Sequence, residues 1–386
     1  EGYTMKDQHI PFNKPVIAGS ELERITDAID RGQLAGDGHY TQLCEQEICR
    51  ITTSPHALLT HSCTAALEMA AILLDLKEGD EVIMPSYTFV STANAVVLRG
   101  AIPVFVDIRL DTLNIDEKLI EAAITTKTKA IFVVHYAGVI CEMDEILQVA
   151  RTHNLSVVED AAQALTSTYK GRQAGSIGDI GCFSFHETKN IISGEGGAIT
   201  VNNPSLVDRS EIIREKGTNR KKFFKGQVDK YTWVDIGSSY LPGELIAAFL
   251  YGQLLEITRL QKDRLQAWAQ YDAEISRYSS EYNLSTPQIP EGVVHNAHLY
   301  YILVETAEMR AEIIADMKNK GVTTPFHYIP LHNSPAGKKY TRTSGELVVT
   351  TAVSEQLVRL PMYPAVKNSQ ERIIESLFES LKNYYR

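Results

Sequence analysis

The sequence predicts an α/β fold in which a mainly parallel sheet is covered by helices on both faces. Short apolar segments alternate with helical patterns over the first half of the chain. These segments are apolar throughout, which is typical of parallel strands buried on both faces. The length of 386 residues also exceeds what one compact core usually holds. We therefore expect a large α/β domain and a smaller second domain.

The predicted elements of the large domain alternate in chain order. Runs of apolar and β-branched residues predict strands at 57–60, 81–85, 102–107, 130–135, 155–160 and 180–185. Apolar residues at helical spacing predict helices at 64–74, 91–99, 116–123 and 142–154. The proline-free stretch 243–282 predicts one or two long helices.

A change in composition at residues 284–292 predicts the domain boundary. This segment reads Leu-Ser-Thr-Pro-Gln-Ile-Pro-Glu-Gly and is rich in turn-forming residues. Beyond it, the patterns at 298–304, 309–320 and 322–329 favour a small α+β unit. We predict a large domain over residues 10–283, whose N-terminal segment can contact the small domain, and a small C-terminal domain over 284–386.

Composition argues against several classes of protein. The formal net charge of −10 disfavours general binding to nucleic acid or to acidic membranes. The longest apolar runs are of strand length, so no transmembrane helix is predicted. Five cysteines without a C-x-x-C pair, and scattered histidines, suggest neither a disulfide framework nor a metal site. A cytoplasmic enzyme with reduced thiols is expected.

Four polar residues follow two of the predicted strands. Asp160 ends strand 155–160 and Gln163 comes three residues later, while Ser184 and Lys189 lie at the end of strand 180–185 and beyond it. Singly, such residues are more often helix caps or solvated surface groups. Together they supply what pyridoxal phosphate requires, namely an amine for the Schiff base, a carboxylate for the ring nitrogen and a phosphate donor.

Two further segments have an ordinary interpretation beside the functional one. Residues 61–65, His-Ser-Cys-Thr-Ala, follow a strand and open a helix, so their N–H groups and the Thr64 hydroxyl could hold a phosphate. A plain helix N-cap is the alternative. The glycine-rich turn 193–197 would allow the backbone to approach a cofactor closely, although such turns are common.

These segments, in this order, resemble the DegT/DnrJ/EryC1/StrS family of sugar aminotransferases. The resemblance is carried by Ser-Cys-Thr at 62–64, Met-Pro-Ser-Tyr-Thr-Phe at 84–89, Glu-Asp-Ala-Ala-Gln at 159–163 and Ser-Phe-His-Glu-Thr-Lys-Asn at 184–190. It extends from residue 10 to the C-terminus. It implies fold type I and pyridoxal 5′-phosphate as cofactor, with pyridoxamine phosphate as the intermediate form.

The resemblance also implies roles for single residues around the cofactor ring. Lys189 would form the Schiff base and later carry the proton between the substrate carbon and the cofactor. Asp160 would pair with the ring nitrogen, and Gln163 would lie near the ring hydroxyl. Phe89 would stack on the ring face.

Phosphate binding is implied for a second group. Ser184, Thr64 and the backbone of Cys63 would hold the cofactor phosphate. Several relatives supply an asparagine from the neighbouring subunit, and the matching residue here is the shorter Ser239. The same relatives usually carry arginine where this chain has Leu241. A homodimer with composite active sites is expected.

The substrates implied by the resemblance are glutamate and a dTDP-linked 4-keto-6-deoxy sugar, used in turn by one site with ping-pong kinetics. Amination at C4 to a galacto or a gluco product, and amination at C3, stay open. A pyridoxamine-dependent dehydratase is disfavoured, because such relatives carry histidine where this chain has Lys189. A non-catalytic sugar-nucleotide sensor is the alternative from another class, and it would be free to lose Asp160, Gln163 or Lys189.

Contacts to the sugar nucleotide are predicted from two regions. A basic cluster either meets the diphosphate or forms a solvated face, and its members are Lys216, Arg220, Lys221, Lys222, Lys225 and Lys230. In the small domain, His327 and Tyr328, followed by His332, could border the sugar pocket, with structural histidines as the alternative. Tyr231 and Trp233 are predicted to be packing residues.

Overall fold

The computed structural model describes residues 9–224 and 226–385. The strands are β1 (Ala57–Thr60), β2 (Glu81–Pro85), β3 (Ile102–Val106), β4 (Thr128–Val134), β5 (Ser156–Asp160), β6 (Thr168–Tyr169), β7 (Arg172–Gln173), β8 (Ile180–Ser184), β9 (Gly197–Val201), β10 (Val293–Val294), β11 (Tyr300–Leu303), β12 (Arg342–Thr343) and β13 (Leu357–Leu360). The predicted strands therefore recur within about two residues of their expected ends.

The helices alternate with the strands along the chain, as the periodicity predicts. They are α1 (Glu21–Asp30), α2 (His39–Thr52), α3 (Cys63–Leu73), α4 (Val90–Val97), α5 (Glu117–Ala123), α6 (Met143–Thr152), α7 (Val207–Arg214), α8 (Arg220–Phe224), α9 (Glu244–Leu255), α10 (Ile257–Ser276), α11 (Ala307–Asn319), α12 (Pro335–Tyr340), α13 (Val348–Gln356) and α14 (Gln370–Tyr384). The proline-free stretch forms two helices, α9 and α10.

The main sheet has eight strands in the order β1-β9-β8-β5-β4-β2-β3-β12. All neighbouring pairs from β8 to β12 are parallel, whereas β9 runs antiparallel to both β1 and β8. The predicted α/β class with a mainly parallel sheet is confirmed. Because β5 and β8 are parallel neighbours with Asp160 opposite Cys182, the polar residues that end both strands meet at one edge of the sheet.

Helices bury both faces of this sheet. Strand residues alternate between the faces, so Ile131 and Val133 of β4 pack in the core that α2, α5, α6 and α9 share. Ala130 and Phe132 of the same strand pack in the opposite core, with α3, α4 and α7. The continuous apolar pattern of these strands follows from this two-sided burial.

A third core lies in the C-terminal part of the chain. The antiparallel pair β11 and β13 packs there with α11 and α14. The core also takes Trp268 and Tyr271 from α10, together with Ile10 from the N-terminal segment. Ile10 forms a bridge with Val322, its N–H lying 2.8 Å from the Gly321 carbonyl. The boundary between residues 283 and 284 stays a prediction.

Three further observations concern composition. None of the helices in the described part of the chain is both long and apolar enough to cross a membrane. All five cysteines have free thiols. Within residues 9–224 and 226–385, no group of three His, Cys, Asp or Glu side chains is placed to hold a metal ion. Lys225 of the basic cluster lies outside the described residues.

Candidate active site

A cavity of about 820 Å³ opens where the ends of β5 and β8 face the C-terminal part of the chain. Asp160 and Lys189 line it from the sheet side. His327 and Arg359 line it from the opposite side. Its volume lies within the range of small-molecule sites. The residues predicted around the cofactor all line this one cavity: Cys63, Thr64, Phe89, Asp160, Gln163, Ser184 and Lys189.

Asp160 is a nearly buried carboxylate, 6% exposed, at the last position of β5. The Thr92 hydroxyl donates to its Oδ2 at 2.7 Å, and the Ala162 N–H donates to its Oδ1 at 3.2 Å. Burial raises the pKa of Asp160, and these two hydrogen bonds and the charge of Lys189 offset the shift only in part. A cationic ligand at this carboxylate would relieve the cost of its charge.

The preceding residue, Glu159, points to the other face of the sheet and fixes the strand end. Its side chain is fully buried and accepts backbone N–H groups from Gly175, Ile177 and Gly178. It also lies 2.8 Å from His135 Nε2. The Cys141 N–H donates to His135 Nδ1, so the ring proton is on Nε2 and is donated to Glu159. These contacts hold the end of β5 rigidly beneath Asp160.

Lys189 lies five residues beyond the end of β8, in the turn that leads away from the strand. Burial lowers the pKa of its amine below the ordinary value, while the nearby Cys63 and the charge of Asp160 oppose the shift and the charge of Arg359 reinforces it. The following residue, Asn190, donates to the Asn296 carbonyl at 2.7 Å and accepts from His298 Nδ1 at 2.9 Å. The lysine is therefore held between the sheet and the C-terminal part, with an increased neutral fraction.

Gln163 has both ends of its amide fixed. Its Oε1 accepts the Ala137 N–H at 2.7 Å, and its Nε2 donates to the Tyr328 hydroxyl at 3.0 Å. The cavity thus presents an oriented amide next to a phenol. His327, joined to Tyr136 by a hydrogen bond of 2.9 Å, lines the wall beside them.

A group of donors lies at the start of α3. Ser62 caps this helix by accepting the Ala65 N–H at 3.0 Å, which leaves the first N–H groups of the helix facing the cavity. Thr64 Oγ1 lies 2.7 Å from Ser91 Oγ, and Ser184 completes the group from β8. Hydroxyls and helix N–H groups in this arrangement suit a phosphate dianion.

At Gly197, the glycine-rich turn needs glycine for a contact within the chain, and not for the predicted approach to a cofactor. A Cβ at this residue would clash with the backbone of Ser62 and Cys63. Glycine therefore allows β9 to lie directly against the start of α3, a contact within the chain. Gly196 does line the cavity.

Phe89 lies at the mouth of the cavity and is 58% exposed. An aromatic ligand in the cavity would cover its ring face. Of the residues predicted to contact substrate, His327 and Tyr328 line the cavity, whereas Lys216 and Arg220 do not. The remaining described members of the basic cluster, Lys221, Lys222 and Lys230, are also absent from the cavity wall.

The basic cluster is partly neutralised by its own neighbours. Lys216 lies 3.4 Å from Glu215, Lys221 lies 3.2 Å from Glu211, and Lys222 lies 2.9 Å from Asp208. Ser239, which pairs with Glu215 across an isolated bridge, is exposed and away from the cavity. A contact from these residues to a cofactor or substrate therefore requires the site of another subunit and stays a prediction.

The prediction that Tyr231 and Trp233 are packing residues is wrong within this chain. Trp233 is 79% exposed and Tyr231 is 53% exposed. The indole N–H donates to the Asp235 carbonyl at 2.6 Å, so the segment bends back on itself and leaves the ring outside the core. Aromatic composition alone does not distinguish a core position from a surface one.

Sequence patterns also miss four residues of the site: Ser91, Thr92, His298 and Arg359. Ser91 and Thr92 are two hydroxyls among several in the segment 80–94, and no spacing rule selects them. Arg359 had a visible signal, because it is a charge inside the apolar strand Leu-Val-Arg-Leu at 357–360. A charge at such a position requires a partner or a function.

A family model of the DegT/DnrJ/EryC1/StrS aminotransferase family matches residues 15–378. The chain belongs to this family. As a sugar aminotransferase it has the fold-type I architecture and uses pyridoxal phosphate, and both of these predictions are confirmed. The site just described belongs to an enzyme that moves amino groups to sugars.

Relatives of this sugar aminotransferase cover nearly its whole length. The spore coat polysaccharide biosynthesis protein SpsC of Bacillus subtilis is 33% identical over 98% of both chains. The structure of the aminotransferase TlmJ from Streptoalloteichus hindustanus superposes with a TM-score of 0.90 at 26% identity, covering 98% of this chain and 100% of that one. NtdA from Bacillus subtilis with bound cofactor PMP gives a TM-score of 0.85 at 30% identity, over 98% and 87% of the two chains.

The donor set of the cavity fits this cofactor. The buried carboxylate of Asp160 suits a protonated ring nitrogen, because that cation removes the cost of its charge. Lys189 supplies an amine of lowered pKa in the same cavity. The start of α3 has N–H groups and hydroxyls that would suit the cofactor phosphate.

Proposed function

We propose that this sugar aminotransferase moves the amino group of glutamate to C4 of dTDP-4-keto-6-deoxyglucose, which yields dTDP-4-amino-4,6-dideoxygalactose. The observation that carries the proposal is the convergence of Lys189 and Asp160 on one cavity, whose lining also includes the candidate phosphate donors Thr64 and Ser184. The choice of sugar rests on sequence resemblance to dTDP-4-amino-4,6-dideoxygalactose transaminase at residues 80–94, 213–220 and 326–332.

Each residue around the cofactor would have a separate task. When bound, the cofactor supplies an electron sink for the pair released as a bond at the substrate carbon breaks. Asp160 would keep the ring nitrogen protonated through its carboxylate. Gln163 would hold the ring hydroxyl, and Phe89 would cover one face of the ring. Thr64 and Ser184 would bind the phosphate, with N–H groups from α3.

Lys189 would act first as the attachment point and then as acid and base. When the lysine is free, its Nζ would take the proton from the donor carbon and would later deliver a proton as a general acid. The lowered pKa of Lys189 supports this role, because a larger fraction of the amine is neutral and able to accept a proton. In the second half-reaction the same amine would move the proton in the reverse direction, to the sugar.

The wall of the C-terminal part would receive the sugar. His327 and Tyr328 lie there, and burial holds the pKa of His327 well below its usual value. This histidine is therefore a neutral hydrogen-bonding group at the pocket. Lys216 and Arg220 would meet the diphosphate in the site of a partner subunit, in a homodimer with composite active sites. Five free thiols support a reducing compartment, and we propose the cytoplasm.

Two alternatives share the mechanism and one does not. A gluco-configured product, or amination of C3 in a 3-keto sugar, would follow from a different orientation of the sugar in the same cavity. A non-catalytic sugar-nucleotide sensor would need neither the lysine nor the buried carboxylate. The presence of Lys189, Asp160 and Gln163 in the lining of one cavity favours catalysis.

The deciding experiment incubates the protein with pyridoxal phosphate, L-glutamate and dTDP-4-keto-6-deoxyglucose and identifies the product by NMR. We expect an axial amine at C4. An equatorial amine or an amine at C3 would overturn the proposed product while keeping the mechanism. A protein that takes up the cofactor but forms no amino sugar from any keto sugar would support the sensor instead.

Replacement of Lys189 by alanine tests the role assigned to this residue. Lys189→Ala should abolish covalent attachment of the cofactor, measured by mass spectrometry after borohydride reduction, and lower turnover by about 10³-fold or more. Lys170→Ala removes an exposed lysine that pairs with Asp144 at 2.8 Å, and it should change neither property. Retained cofactor attachment in Lys189→Ala would contradict the assignment of this residue.

A further inference from the structure

Arg359 extends into the cavity without a carboxylate partner. Its neighbours Val358 and Leu360 are buried in the third core, so strand alternation turns the Arg359 side chain toward the opposite face, where it lines the cavity. Among the described residues, no Asp or Glu lies within ion-pair distance of its guanidinium. Its Nε is buried and lacks a hydrogen-bond partner.

The guanidinium is nevertheless held in place. The ring of Phe12 lies 4.3 Å from its central carbon, a cation–π contact that orients the plane of the group. Phe12 itself is fixed because its carbonyl accepts the Met362 N–H at 3.2 Å. The Arg359 backbone N–H donates to the Pro325 carbonyl at 2.9 Å. The side chain is therefore oriented before any ligand arrives.

No neighbouring group neutralises this cation. The phenols of Tyr87, Tyr136 and Tyr328 lie near it, but burial raises the pKa of each, so they stay uncharged. Burial also lowers the pKa values of His298 and His327, so neither imidazole competes for an anion with a charge of its own. A desolvated guanidinium without a counter-charge is costly, and an anionic ligand removes that cost.

We propose that Arg359 binds the α-carboxylate of the amino donor and thereby selects an α-amino acid for the first half-reaction. This inference rests on the proposed function and names the residue that would recognise the amino donor. A guanidinium presents parallel N–H groups that match a carboxylate in a bidentate pair. Ion pairing would satisfy the cation and orient the donor nitrogen toward Lys189.

A diphosphate is the other anion that the substrates bring, and the position of Arg359 disfavours it. Arg359 and Lys189 line the same cavity, and the charge of Arg359 contributes to the lowered pKa of Lys189. In an α-amino acid, the carboxylate and the reacting nitrogen share one carbon. In a 4-keto sugar nucleotide, the sugar ring separates the reacting carbon from the diphosphate. A cation in the same cavity as the lysine therefore suits the amino acid better.

The test separates the two half-reactions. Cofactor-loaded protein is mixed with L-glutamate alone, and the loss of the lysine-bound cofactor absorbance is followed. The pyridoxamine form is mixed with dTDP-4-keto-6-deoxyglucose alone, and the absorbance is followed as it returns. Arg359→Gln should lower the apparent second-order rate constant for glutamate by about 100-fold and that for the sugar by less than about threefold. Arg359→Lys, which keeps the charge without the planar fork, should lose about tenfold with glutamate.

Two probes identify the carboxylate. Glutarate, which has two carboxylates and no amine, should bind the loaded wild-type protein at least about tenfold more tightly than Arg359→Gln in a calorimetric titration. With 4-aminobutanoate, which lacks the α-carboxylate, Arg359→Gln should react as slowly as the wild type. Arg277→Gln is the control, because this exposed arginine pairs with Glu274 at 3.2 Å outside the cavity.

Three outcomes would overturn the inference. Equal losses in both half-reactions would make Arg359 a structural residue, and a loss confined to the sugar would assign it to the diphosphate. A loss with 4-aminobutanoate as large as with glutamate would exclude the α-carboxylate. Because no sugar enters the first half-reaction, a wrong choice of sugar in the proposed function would leave the measurements with glutamate, glutarate and 4-aminobutanoate intact.

Discussion

Asp160 carries a charge that the cofactor-free protein holds at a cost. Burial raises the pKa of Asp160, so the native state binds the proton of this carboxyl group more tightly than the unfolded chain does. Stability is therefore lost as the pH rises from the unfolded pKa of about 3.9 through the raised native value. The bound ring nitrogen would reverse that cost, so the cofactor and the charged carboxylate stabilise each other.

Asp160→Asn should make the cofactor-free protein more stable at pH 7 than the wild type. The gain should be about 1.4 kcal/mol for each unit by which the native pKa is raised, because the amide has no charge to desolvate. The Thr92 hydroxyl, 2.7 Å away, can rotate to meet the amide. Urea unfolding from pH 4 to pH 8 measures the difference, which should shrink toward pH 4. A variant that is less stable than the wild type at pH 7 would contradict this account, and weaker cofactor binding is expected in parallel.

At this scale the sequence predicts residues that belong to motifs and misses those that act through position. Asp160 and Lys189 were recognisable because their residue types and spacing match one chemistry. Thr92 and His298 reach the site only through the packing of distant segments, and nothing in their local sequence distinguishes them. Arg359 is intermediate, since its charge in an apolar strand shows that the site is unusual without showing which ligand it meets.

The start of α3 is the element that joins stability to the phosphate site. Its cap, Ser62, holds the Ala65 N–H, and Gly197 of β9 packs directly against this turn. The helix end is thus fixed from two sides. Its free N–H groups therefore point in a constant direction, which a phosphate site requires.

Ser62→Ala should destabilise the protein by about 1 kcal/mol, the usual cost of losing a helix cap. It should also weaken pyridoxal phosphate binding several-fold, because the first turn of α3 loses its alignment. Thr306→Ala is the matched control, since Thr306 caps α11 by accepting the Met309 N–H at 3.1 Å away from the cavity. Urea unfolding and cofactor titration of both variants check this. An equal effect of the two substitutions on cofactor binding would contradict the role of the α3 start.

Element boundaries were predictable because the physical signals are local. The β-branched runs of β2 and β4 and the proline-free stretch of α9 and α10 each contain their own evidence. The reversed direction of β9 was not predictable, because antiparallel pairing with β1 and β8 depends on where the chain returns after the Lys189 turn. Short bridging strands such as β12, which joins the sheet from residue 342, lack a period long enough to detect.

For the whole molecule, an exposed apolar segment supports the expected homodimer. Residues 231–236 include Tyr231, Trp233, Val234 and Ile236, which are 53%, 79%, 49% and 43% exposed. Large apolar groups that cluster in this way often mark an interface. The segment adjoins the basic cluster and Ser239, which are the residues that a composite site would take from a partner.

Trp233→Asp should weaken self-association, because the substitution removes a large aromatic ring and adds a charge. We expect a loss of about 2 kcal/mol or more in the dimerisation free energy, measured by light scattering over a dilution series. Turnover should fall with the dimer fraction. Leu110→Asp is the control, since Leu110 is 60% exposed elsewhere on the surface. A wild-type protein that is fully active as a monomer would exclude the composite site.

The surroundings of the large apolar side chains were the part of the molecule that the sequence predicted least directly. Tyr231 and Trp233 were expected to pack, and they are exposed in the single chain. Hydrophobicity predicts burial but does not tell whether the burying surface belongs to the same chain. The domain boundary is difficult to predict for a similar reason: the third core combines segments from both sides of residue 284, and a change in local composition does not show which segments pack together.

The pairing of Ile10 with Val322 has a consequence for how the protein is made. Ile10 is synthesised before its partner Val322, which follows about 310 residues later in the chain. At synthesis rates of about 5–20 residues per second, the N-terminal segment waits roughly 15 to 60 seconds for its place. Phe12, which orients Arg359, waits with it. All strands of the main sheet except β12 lie within residues 57–201, so they can pair long before this segment reaches the cavity, and the nascent chain would then have a nearly complete sheet and an open site.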